Sequence, residues 1–183
     1  MDNIVAVLEH SNRVRQIDLR DVSSSDLEKG LTVMQEPFPE LDHLLLSSNG
    51  EMVPVFPDSF LGKSAPRLRH LNFRRIAFPA LPKLLLSATH PVTLLLYDIP
   101  HSGYLSPEAI VTALSTLINL ETVLLRFQLP RSSPKWESRR SPAPIGLLTL
   151  LPVLTDFRFK GSSEYSDDFV ARIDAPRLDY LDI

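Results

Sequence analysis

Cysteine is missing from all 183 residues, and that single absence removes disulfides, thiolate metal sites and cysteine nucleophiles together. It also fits a reducing compartment. Glycine is scarce, with six residues, which leaves little material for a Gly-rich phosphate loop; no GxSxG motif is present either. Positive charge is not in excess: the formal net charge is -3, which argues against a nucleic-acid binder working through bulk cationic charge. Long apolar runs are lacking too, the longest stretches, such as 146–154, being too short to span a bilayer. The start of the chain, Met1-Asp2-Asn3, shows no basic segment followed by an apolar run, so a signal peptide is not expected. The expected location is intracellular, cytoplasmic or nuclear, without membrane or nucleic-acid partners.

Catalytic constellations are equally thin. His10, His43, His70, His90 and His101 form no closely spaced ligand pair, and HExxH does not occur. No metal site, no cofactor and no enzymatic activity are expected.

What the chain does have is apolar residues, 44 % of the total, arranged in a recurring pattern: apolar, two residues, apolar, one residue, apolar. Copies fall at Val14/Ile17/Leu19, Leu41/Leu44/Leu46, Leu68/Leu71/Phe73, Leu120/Val123/Leu125, Leu154/Phe157/Phe159 and Leu178/Leu181/Ile183. A degenerate copy, Pro91/Leu94/Leu96, completes seven. Their starts are spaced by 27, 27, 23, 29, 34 and 24 residues, intervals that bracket the roughly 20–29 residues of a leucine-rich repeat, with one insertion. Four copies carry a proline two residues ahead: Pro39, Pro66, Pro152 and Pro176. Proline ends a preceding helix and biases the chain to an extended path, which suits a strand entrance.

Helical signals lie between the strands. Ser106-Pro107-Glu108 supplies an N-cap, a first-turn proline and an acid, ahead of an apolar stripe of Ile110, Val111, Leu114, Leu117 and Ile118. Ser25 and Glu28 have capping-box spacing. Further helices are expected over 80–88 and from Ser166, with Phe169, Val170 and Ile173 inward. The expected fold is therefore α/β: one leucine-rich-repeat domain over 1–183, about seven repeats. A curved parallel sheet lines its concave side, with helices and irregular turns on the convex side. Residues 1–13 supply a helix leading into the first repeat. Only Asn49 occupies the position of the usual repeat asparagine, so no continuous asparagine ladder is expected.

Several phrases of the sequence carry a closer likeness: NIVAVLEH (3–10), VMQEPFP (33–39), PDSFLG (57–62), SAPRL (64–68), ALPKLLLSATH (80–90), DIPHSGY (98–104) and ARIDAP (171–176). Over essentially the whole chain they resemble a family of fungal, mainly basidiomycete, leucine-rich-repeat proteins described as F-box-like. The resemblance implies the substrate-recognition repeat region of an F-box-type ubiquitin-ligase receptor. Relatives often carry an F-box of roughly 40 residues upstream and further repeats downstream; the first 13 residues here are too few for an F-box, so a ligase adaptor would be engaged only if one were supplied elsewhere. The chain stops on a strand triplet, at Ile183, without a covering cap. A truncated structural fragment with no partner of its own is the alternative expectation.

If the triplets point inward, the residues between them line the opposite face of the sheet. Three columns result. The first is Gln16, His43, His70, Thr93, Thr122, Asp156, Tyr180; the second is Asp18, Leu45, Asn72, Leu95, Leu124, Arg158, Asp182. The third is Arg20, Ser47, Arg74, Tyr97, Arg126, Lys160. Cations dominate the third, which suits an acidic or phosphorylated protein or peptide partner, although solvated strand ends commonly carry charge. Leu45, Leu95 and Leu124 give the second column apolar area for a partner, or a loop folding back, to cover. The partner-binding candidates are thus Arg20, Arg74, Tyr97, Arg126, Arg158, Lys160, Leu45, Leu95 and Leu124. Residues 128–145, rich in Pro, Ser and Arg, read as a flexible inserted loop. Trp136 within it is either a partner anchor or a side chain folded back onto its scaffold.

Overall fold

The period-2 alternation of the triplets dictates strands with one apolar face, and the backbone follows it. The computed structural model describes residues 6–50, 52–88, 90–128 and 148–183. Nine strands occur among them: β1 (Gln16–Val22), β2 (His43–Ser48), β3 (His70–Arg74), β4 (Thr93–Ile99), β5 (Thr122–Phe127), β6 (Thr149–Leu150), β7 (Asp156–Lys160), β8 (Ile173–Asp174) and β9 (Tyr180–Asp182). Seven form one sheet in the order β1-β2-β3-β4-β5-β7-β9, every neighbouring pair parallel. β6 and β8 pair separately, also in parallel. Strand order equals chain order, so each connection leaves one strand and returns to begin the next beside it. The fold is thus mixed α/β, with a seven-stranded parallel sheet.

Register aligns the triplets. Ile17, Leu44, Leu71, Leu94, Val123, Phe157 and Leu181 are successive ladder partners. So are Leu19, Leu46, Phe73, Leu96, Leu125 and Phe159. A slip of one residue would turn each apolar set to the other face, so burial itself fixes the register. The strand entrances are tied by a recurring backbone device. The Arg15 carbonyl accepts from both Asp42 N–H (2.9 Å) and His43 N–H (3.2 Å). The carbonyls of Asp42, Arg69, Val92, Glu121 and Thr155 each do the same for two consecutive amides of the following strand. Pro91, in the degenerate copy, is buried where other copies place leucine. It fills the same space, and its lost N–H is not needed there, since Val92 and Thr93 supply the donors.

Four helices close the connections: α1 (Ser24–Val33), α2 (Leu81–Ser87), α3 (Pro107–Leu114) and α4 (Ser163–Val170). Their apolar faces join the inward strand residues in one core, with Leu27 and Leu31 from α1, Leu84 and Leu85 from α2, Ile110 and Leu114 from α3, and Phe169 from α4. Phe169 stacks on Phe157, centroids 5.1 Å apart and planes within 2°. α3 begins as its sequence predicts, the Ser106 hydroxyl accepting from Ala109 N–H (3.2 Å) with Pro107 in the first turn.

Three local expectations need correction. The cap of α1 is Ser23, not Ser25: its hydroxyl accepts from Asp26 N–H (3.2 Å), and Ser25 lies inside the helix. α4 starts at Ser163 behind the cap residue Ser162, so Ser166 is buried mid-helix and Val170 is 40 % exposed. Ile118, placed on the α3 stripe by spacing, lies beyond the helix and is exposed. In the first two cases the spacing was real but the helix start was set by which serine met a free amide; α3 begins where its sequence predicts and simply ends at Leu114, before Ile118. At the N-terminal side residues 6–8 are helical, 9–13 form turns and Leu8 is buried, while the first five residues of the expected leading helix lie outside the described residues. Trp136 and nearly all of the 128–145 segment lie outside the described residues. No helix among the described residues is long and apolar enough to cross a membrane.

Candidate functional site

The face of the sheet opposite the core is built by the residues between the triplets. The first column holds in full: Gln16, His43, His70, Thr93, Thr122, Asp156 and Tyr180 are consecutive ladder partners. So does the second, from Asp18 through Leu45, Asn72, Leu95, Leu124 and Arg158 to Asp182. Leu45, Leu95 and Leu124 are half-buried on it. Leu95 and Leu124 are direct ladder partners, so with half-buried Tyr97 they make an apolar strip across β4 and β5.

The third column is broken in two places. Ser47, Arg74 and Tyr97 are in ladder register, as are Arg126 and Lys160. The register shifts between Leu19 and Val22 in β1 and between Leu96 and Ile99 in β4. Each irregularity contains an aspartate in the left-handed backbone region, Asp21 and Asp98, both with φ of 51°. Aspartate tolerates that conformation better than most residues because its short carboxylate bonds locally. The consequence is chemical. Asp98 turns its carboxylate between two arginines, meeting Arg74 Nε at 3.3 Å and Arg126 Nε at 3.1 Å. Asp21 accepts from the Ser47 hydroxyl at 3.1 Å.

The remaining cations are also engaged, apart from Lys160, which is exposed at the end of β7 with no ion-pair partner among the described residues. Arg20 forms a two-point pair with Asp18 (2.9 and 2.8 Å), and this hydrogen bond holds the Asp18 carboxyl below its usual range. Arg158 grips Asp156 in the same way (3.0 and 2.9 Å) and lies 4.8 Å from the Tyr180 ring centre. All these pairs are solvated, so each contributes little to stability. Their effect is on recognition: the face offers arginines already oriented by acids, around an apolar centre, in place of a bare cationic row. Asp98 is the member that column reasoning missed. An Asp directly after the third-column residue in both β1 and β4 was the available signal.

His43 and His70 come together as their shared column implies, ring centroids 5.6 Å apart. Burial, and then the charge of His43, lower the His70 pKa. No group of three His, Cys, Asp or Glu suited to a metal ion occurs among the described residues.

A second feature lies at the edge where the strands begin. A groove of about 670 Å³ is lined there by Arg15, Glu40, Asp42, Arg67, Arg69, His90, Val92, Asn119, Glu121 and Val153. Arg67 is ion-paired with Glu40 across it. These residues precede the columns, which is why alternation along the strands did not reveal them. The groove is open and mixed in charge, with no convergent set of groups for catalysis. No protein-family model, no curated protein and no solved structure matches the chain.

Proposed function

We propose that the chain is a leucine-rich-repeat solenoid acting as a protein-interaction scaffold, with its exposed sheet face as the binding surface. The observation that carries this reading is the strip of Leu95, Leu124 and Tyr97 bordered by Arg74 and Arg126, which share Asp98. Interfaces draw their energy from a few apolar and aromatic anchors, while oriented arginines at the rim select partners by charge. A protein or peptide with an apolar anchor flanked by acidic or phosphorylated residues fits that arrangement: its acids would exchange with Asp98 for the two guanidinium groups. In agreement with the family likeness, the specific role is substrate recognition for an F-box-type ubiquitin ligase, with the adaptor engaged only where an F-box is supplied. The sequential parallel order and the aligned triplets support the repeat reading.

The experiment is affinity capture with the wild-type chain, with Leu124→Asp, with Arg74→Glu/Arg126→Glu, and with Ile118→Asp as a control on a surface outside the sheet. Partners retained by the control and lost with both face variants support the proposal. Equal capture by all four chains removes the sheet face from consideration.

A further inference from the structure

One residue ahead of the first column, the strand entrances carry a further row of side chains. Across β3, β4 and β5 it reads Arg69, Val92 and Glu121. Backbone bonds hold the three in step: Val92 N–H donates to the Arg69 carbonyl (2.8 Å) and Glu121 N–H to the Val92 carbonyl (2.9 Å). All three line the groove of about 670 Å³, a size typical of ligand sites. Arg69 and Glu121 are exposed, and neither side chain has an ion-pair or hydrogen-bond partner among the described residues. Asp42, the neighbour of Arg69 on the other side of the row, makes no ion pair with it. Their opposite charges are both felt at His70, where Arg69 opposes a proton and Glu121 favours one. The groove is a dipolar slot, a cation and an anion set apart by half-buried Val92.

Its backbone has nothing to give an added β-strand. The carbonyls of Arg69 and Val92 each accept two amides already, and the amides of Arg69, Val92 and Glu121 are all donated. An occupant is therefore held by its side chains, on a backbone that needs no ladder partner. Polyproline II is such a backbone: with three residues per turn and a rise of about 3.1 Å, like-facing side chains recur about every 9.3 Å. The step from Arg69 to Glu121 is two strand spacings, about 9.4–9.8 Å. A β-strand repeats its facing side chains at about 6.6 Å, short of that step. A helix spans it only over two turns of a cylinder about 10–12 Å across, which is more than the groove holds.

We propose that this groove binds a proline-rich segment of another protein in the polyproline-II conformation, carrying an acidic and a basic side chain three residues apart. The acid meets Arg69, the base meets Glu121, and the residues between them lie on Val92. Opposite charges at both ends of the slot select such a segment over a uniformly acidic or basic one. The site sits at the strand-entrance edge and shares no residue with the sheet-face strip of Leu95, Leu124 and Tyr97, so either site can fail without the other.

Fluorescence anisotropy with labelled synthetic proline peptides tests it. Three peptides carry two charged residues three positions apart: glutamate with lysine, two glutamates, or two lysines. A fourth carries glutamate and lysine side by side. The wild-type chain should bind the spaced glutamate–lysine peptide about tenfold more tightly than the other three. Arg69→Glu should move the preference to the two-lysine peptide, and Glu121→Arg to the two-glutamate peptide, with thermal unfolding as in wild type. Glu164→Arg, an exposed position of α4 outside the groove, should change no preference. Three outcomes overturn the inference: no binding of the spaced glutamate–lysine peptide, equal binding of the spaced and side-by-side forms, or a preference that the two groove variants leave in place or that Glu164→Arg also switches.

Discussion

His43 and His70 stand beside each other on β2 and β3 with ring centroids 5.6 Å apart, both on the half-exposed sheet face. The closeness follows from parallel register alone: two residues in one ladder position are held a strand spacing apart. Its consequence is electrostatic. Burial and the neighbouring ring disfavour a proton on His70, against weaker opposing pulls from Asp42 and Glu121.

The folded His70 pKa lies below its unfolded value of 6.5. The unfolded chain therefore takes up a proton first as pH falls, and stability drops through and below that value. Urea unfolding of wild type and His70→Gln at pH 8 and pH 5.5 should show the variant losing less stability across the interval. A parallel loss in both chains would mean that the pair does not couple to folding.

Capping separates Ser23 from Ser25. Ser23→Ala removes the acceptor for Asp26 N–H and should cost about 1 kcal/mol. Ser25→Ala, inside α1 and exposed, should fall within about 0.5 kcal/mol of wild type. Chemical denaturation of the two variants checks the order; the reverse ranking would restore the spacing-based cap.

Asp98 combines a positive φ with two solvated ion pairs. Glycine relieves the left-handed conformation, while alanine retains its strain, and both remove the pairs. Asp98→Gly should therefore be more stable than Asp98→Ala by about 1 kcal/mol. Asp98→Ala should also bind an acidic peptide more tightly than wild type, because Arg74 and Arg126 lose their internal partner; fluorescence anisotropy would register the change.

Tyr165 buries a hydroxyl with no hydrogen-bond partner among the described residues, its ring packed between Phe127 and Phe159, and burial pushes its pKa up. Tyr165→Phe keeps the ring and removes the unsatisfied group. Calorimetry should show a gain of up to about 1 kcal/mol, a rise in Tm of roughly 2–4 °C for a chain of this length. A loss of that size would reveal a partner for the hydroxyl in solution.

The triplets from Val14 to Ile183 determined by themselves which strand faces are apolar, and hence the three columns and the ladder register that joins them. The reason is local: side chains alternate every residue along a strand, so an inward set names its outward set. Only the tertiary structure decided how the columns end. Asp98 reaches Arg74 and Arg126 because the chain turns left-handed after Tyr97, a backbone choice no hydrophobic pattern records. Leu8 covers the core at β1 while Leu181 and Ile183 stay open at β9, although all three read alike as apolar residues. Whether an apolar residue is buried depends on what packs against it, and that neighbour is set by the fold rather than by the residue.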